Sequence, residues 1–138
     1  ACKATVMTDT GLVSDYMLKH VDHTDLLVLE ANYDKNMLFF GKYAPFLKQR
    51  VSGDEGHLSN AMAAQVLTMM ERPDFMKVIL AHRSENNNTM EKVTYKAGHT
   101  SVDAGIKIGP EMRLTHAQPD RRVSMYQGEE GFHEEDKN

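Results

Sequence analysis

Three ionisable residues, Asp9, Glu30 and His82, each stand just past the C-terminal end of a short apolar run. A fourth, His57, leaves the loop Gly53-Asp54-Glu55-Gly56. In α/β sheets ligand sites gather at the carboxyl edge of the strands, so groups placed there can converge on one point. Asp9 and His82 form the chemically sensible metal pair, because a carboxylate can bridge two cations and a neutral imidazole supplies a directional nitrogen. Glu30 and His57 suit an acid/base pair. The carboxylate would fix the tautomer of the imidazole, which could then pass a proton to a leaving oxygen. Each residue also has a plain reading: Asp-Thr-Gly is a common turn, His82 can be a strand-end histidine with its hydrogen bonds met, Glu30 a cap, His57 a surface loop residue. Only the shared placement raises them together. Cys2 is the only cysteine, so a metal would have to be held by His and carboxylate.

The elements that would position these groups follow from periodicity. Residues 3–8, Leu26 to Leu29 and Lys77 to Ala81 read as buried strands, being apolar runs that stop at turn residues. Ser14 caps a helix over 15–22, and Asp34 caps one over 35–41. A helix over 44–51 follows Tyr43-Ala44-Pro45. Ser59 or Asn60 caps one over 60–71, with Met62, Val66, Met69 and Met70 as its apolar stripe. Thr89 caps a helix over 90–104, weakened by Gly98 and β-branched residues. Late strands over 111–117 and 121–126 suggest a hairpin across Gln118-Pro119-Asp120. Repeated strand-loop-helix units argue for an α/β layer with at least partly parallel strands.

The 138 residues suffice for one core and are short for two. Residues 129–138 (EEGFHEEDKN) carry five acids against one lysine, which accounts for the net charge of −4 and leaves the body neutral. Neutrality argues against a broad nucleic-acid-binding face and leaves room for a local groove. The sequence predicts one domain over residues 1–127 and a flexible acidic tail over 128–138. No apolar run approaches the roughly 20 residues needed to span a bilayer, and no signal segment opens the chain; a cytoplasmic protein without membrane contact is expected. The ten methionines read as adaptable core filling.

The strings TDTGLVSDYM (8–17), VLEANYDKNML (28–38), LKQRVSGDEGHLSN (47–60) and LAHRSENNNTMEKV (80–93) together resemble the C-terminal half of a metallo-β-lactamase superfamily hydrolase. The nearest subgroup is the bacterial DNA exonuclease associated with a cell-wall two-component operon. The likeness runs in order over residues 4–95 and more weakly to 126. It implies half of an αββα sandwich, with a mixed sheet flanked by helices. It further implies that Asp9 bridges two divalent metal ions, zinc or manganese, that His82 is a terminal ligand, and that Glu30 and His57 act at the scissile phosphate. Asn87 and Asn88 match an Asn pair for which substrate contact is implied.

There are departures: Arg83 replaces a usual Leu, and Met90 a usual Pro, so the loop after His82 is expected to differ in shape. The superfamily's His-x-His-x-Asp-His motif does not occur in this sequence, and in the family it supplies most of the metal ligands. The resemblance therefore implies phosphodiester hydrolysis of DNA only when an N-terminal half completes the site, and negligible turnover by these residues alone. It also implies an exposed apolar sheet face, and with it the missing half or a homo-oligomer as partner. Two other readings stand beside this one: a non-catalytic binding or assembly module, and a related hydrolase acting on a thioester or lactam.

Overall fold

The computed structural model describes residues 2–117 in full, and for 122–128 and 131–137 the backbone course. Four strands, β1 (Ala4–Met7), β2 (Leu26–Glu30), β3 (Met76–Ala81) and β4 (Met112–His116), form one sheet in that order. Every pairing in it is parallel. Helix α1 (Asp15–Val21) joins β1 to β2. Helices α2 (Lys35–Phe40), α3 (Pro45–Ser52) and α4 (Asn60–Met69) join β2 to β3, and α5 (Met90–Asp103) joins β3 to β4. The ends of these helices are chemically marked. Ser14, Asp34, Ser59 and Thr89 each accept a backbone N–H three residues on, satisfying donors that a helix start leaves orphaned.

The register decides which side chains share a face. Thr5, Leu27, Val78 and Leu114 lie level across the sheet, and two residues further on come Met7, Leu29, Leu80 and His116. On that face Met7, Leu27, Leu29, Met76, Val78, Leu80 and Met112 are buried in one cluster with Val21 of α1, Ala63, Val66 and Leu67 of α4, and Val93 and Ala97 of α5. Successive parallel crossovers in one direction put their helices on one side of a sheet. The opposite face is uneven: Ile79 and Lys77 of β3 are buried, whereas Val6 of the edge strand β1 is 67% exposed.

Three expectations change. The sheet is wholly parallel among the described residues rather than mixed. The strand at 112–116 does not fold back on the next one. It takes the free edge of β3, where Met112 is fully buried in the core, while β5 (Arg122–Gly128) pairs antiparallel with β6 (Gly131–Lys137) as a second, two-stranded sheet. In α4 the inward stripe is Ala63, Val66, Leu67 and Met70, and Met69 faces out at 60% exposure, because the helix turns Met69 away from the sheet. No helix among the described residues is long and apolar enough to cross a membrane.

Candidate metal centre

The parallel register carries three of the four candidate residues to one edge. Met7 pairs with Leu29 and Leu29 with Leu80, while Glu30 pairs with Ala81. Asp9 and His82 therefore sit just beyond the last paired residues of strands on either side of β2. Both have left-handed backbones, φ 58° at Asp9 and 59° at His82, a conformation uncommon for residues other than glycine and concentrated at functional sites. It turns the chain off the sheet at the point where the side chain is needed.

His57 arrives by a different route. Residues 57–60 run alongside the chain that continues β2. Asn32 N–H donates to Leu58 O, Asn60 N–H to Tyr33 O, each at 2.9 Å, and Tyr33 and Ser59 form an isolated parallel bridge. The loop before it is tightly wound: Gly56 N–H donates to Gly53 O and His57 N–H to Val51 O, both at 2.9 Å. A side chain at Gly11 would begin 1.8 Å from Gly53 O, so the Asp9 loop and the His57 loop touch through two glycines, tied by Gly11 N–H to Asp54 O at 3.0 Å. Tyr33, paired with Ser59 in that bridge, has its hydroxyl pushed above the usual tyrosine range by burial, opposed by a hydrogen bond with Ser59.

One ligand atom from each of Asp9, Glu30, His57 and His82 lies within 4.8 Å of the others. Glu30 is the buried centre, with 0% of its side chain exposed. Its Oε1 accepts Asp9 N–H at 2.7 Å, and its Oε2 lies 2.6 Å from His57 Nδ1. A buried carboxylate held by two donors is fixed in place. With a ring N–H donating to Oε2, Nε2 of His57 remains for other chemistry. Asp9 Oδ1 and His82 Nδ1 stand 3.4 Å apart. Two ligands of one tetrahedral cation with bonds of about 2.0–2.1 Å would be roughly 3.4 Å apart, so this donor pair fits a divalent ion. Asn32, which the sequence reading passed over, supports it: its Nδ2 donates to His82 O at 2.7 Å, and its carbonyl accepts from Ser84 N–H at 2.8 Å.

Asn87 and Asn88 are both buried. The Asn88 amide donates to Ala31 O and exchanges two 2.8 Å hydrogen bonds with the Asn60 amide, which ties the start of α4 to the end of β2. Asn87 lines a cleft of about 340 Å³ with Asn32, Tyr43, Ser84 and His57. A second cleft of about 510 Å³ adjoins it at Tyr43, Val51 and His57, and is lined further by Asp9, Arg50 and Glu55. His57 thus stands between two openings, with Asp9 in one wall.

The chain is similar to named exodeoxyribonucleases. It is 35% identical over 120 residues to exodeoxyribonuclease WalJ from two strains of Streptococcus pneumoniae, covering 87% of this chain and 45% of the relative. Against exodeoxyribonuclease YycJ of Bacillus anthracis it is 30% identical over 117 residues, covering 85% of this chain and 44% of the relative. The chain thus spans somewhat under half the length of the curated relatives it matches. No protein-family model and no solved structure matches it.

Proposed function

We propose that these residues form the C-terminal part of a metal-dependent phosphodiesterase of the metallo-β-lactamase fold, acting on DNA as an exonuclease. The observation that carries this reading is the convergence of Asp9, Glu30, His57 and His82 within 4.8 Å at one sheet edge, in a chain similar to exodeoxyribonucleases over 87% of its length.

In this reading Asp9 and His82 hold part of a centre of two divalent cations, zinc or manganese. Divalent cations held there would supply the Lewis-acid charge that phosphodiester hydrolysis calls for. Asp9 Oδ1 and His82 Nδ1 provide two protein ligands, where zinc sites use three or four; in this reading Glu30 and His57 are kept for proton transfer and another polypeptide segment would supply the remaining ligands. Glu30 holds the Nδ1–H of His57, and when Nε2 carries a second proton the imidazolium passes that proton to the departing oxygen. Asn87 would touch substrate from the smaller cleft, with Asn88 holding the wall behind it. The exposed edge of the second sheet face, around Val6, is where a complementing polypeptide would pack.

The test combines calorimetric titration of the chain with Mn²⁺ or Zn²⁺ and a hydrolysis panel of bis-p-nitrophenyl phosphate, a lactam and a thioester. The panel is run with and without the N-terminal segment of the pneumococcal relative. We expect weak cation binding that Asp9→Asn or His82→Ala abolishes, and phosphodiester turnover only in the presence of the added segment. Cation binding untouched by both substitutions would refute the site. Cleavage confined to the lactam or thioester would refute the substrate class.

A further inference from the structure

We propose that Arg50 grips a backbone phosphate of the polynucleotide in the cleft leading to His57, a reading that rests on the phosphodiesterase function above. Arg50 stands in the last turn of α3 and lines the 510 Å³ cleft together with Asp9, Tyr43 and His57. It is the only lysine or arginine lining either of the two clefts that meet at His57. The remaining charge is acidic: Asp9 and Glu55 line the same cleft and Glu30 lies behind it. A polyanion entering this cleft meets repulsion from those carboxylates everywhere except at Arg50 and at any cation held by Asp9 and His82.

Among the described residues, the Arg50 guanidinium has no ion-pair or hydrogen-bond partner, although Glu55 shares its cleft. A basic residue in the last turn also eases the helix dipole, and that role alone asks for no position beside Asp9 and His57. The guanidinium fork offers five N–H donors and matches two phosphate oxygens at once, which a lysine cannot do. Tyr43 lines both clefts and is half-buried. It presents an aromatic ring next to the gripped phosphate, where a neighbouring base can stack. The structure thus divides the labour: Asp9 and His82 face the reacting phosphate, and Arg50 holds the strand.

The experiment measures fluorescence anisotropy of a labelled DNA duplex bearing a 5′-phosphate, titrated with the full chain across a potassium chloride series. Wild-type protein is compared with Arg50→Ala, Arg50→Gln and Arg50→Lys, each checked for folding by circular dichroism. Loss of one phosphate contact should weaken binding by about tenfold and make the log–log salt dependence shallower by about one. Arg50→Gln should behave like Arg50→Ala. Arg50→Lys should restore the slope and regain only part of the affinity. Equal affinity and slope for wild type and Arg50→Ala would overturn the grip and leave the phosphodiesterase reading standing. A wild-type chain that binds no duplex would overturn it too, and the separate cation titration would then report whether the metal site goes with it.

Discussion

Asp9 and His82 meet the cluster from backbones that most L-residues avoid, with φ near +60°. A left-handed residue with a Cβ costs roughly 1–2 kcal/mol relative to its right-handed form, and glycine escapes that cost. If the conformation at residue 82 is kept for the sake of the imidazole, then His82→Gly should be more stable than His82→Ala by about 1 kcal/mol. Urea unfolding reads this difference, and calorimetry should find cation binding lost in both. Equal stabilities would mean that the loop relaxes and holds no strain. The sequence made these residues visible as candidates because each follows an apolar run ending in a turn. It gave no sign of the left-handed backbone, since Asp and His are ordinary residues and strain is a property of the surrounding loop. Nor did it single out Asn32 or Arg50, whose significance comes from what they face.

The strand ends and the α3–α4 loop approach each other through Gly11 and Gly53. A Cβ at Gly11 would meet backbone atoms of Gly53 and Asp54, which cannot rotate aside as a side chain can. Gly11→Ala should therefore cost about 1–3 kcal/mol and, by parting the Asp9 loop from the His57 loop, weaken cation binding. Gly98 is the internal control: it lies within α5, where an added Cβ meets nothing within 4 Å. Gly98→Ala should stabilise by about 0.5–1 kcal/mol. Thermal melts of the two variants test both, and a neutral Gly11→Ala would show that the loops are not locked together.

Legibility at this scale divides along a physical line. The strands at 4–7, 26–30 and 76–81 and all five helices were readable, because hydrophobic period and capping residues are local signals. Partnership between strands is not local. The segment 112–116 reads as a strand wherever it pairs, and a Pro-Asp turn after it suggested a neighbour that the free edge of β3 took instead. The stripe on α4 failed by one position for a similar reason, since Met69 and Val66 differ in where the helix is set down and hardly at all in hydrophobicity.

Across the molecule, the helices that bury their apolar stripes share one side of a parallel sheet. The other side is closed over β3 and open at β1, where Val6 is exposed. Phe39, Phe40 and Phe46 of the α2–α3 segment are also exposed. The donors of the cluster come from residues 9, 30, 57 and 82, each delivered by a different turn of the chain. None of them can meet until β1, β2 and β3 have found their non-local pairings, the slow events in forming such a sheet. An ion that needs several of them at once has nothing to hold in a half-assembled chain. In stopped-flow experiments, Mn²⁺ should therefore leave the rate of refolding unchanged and slow the rate of unfolding. The cation would act as a latch fastened after assembly, lengthening the lifetime of the finished sheet without guiding its construction.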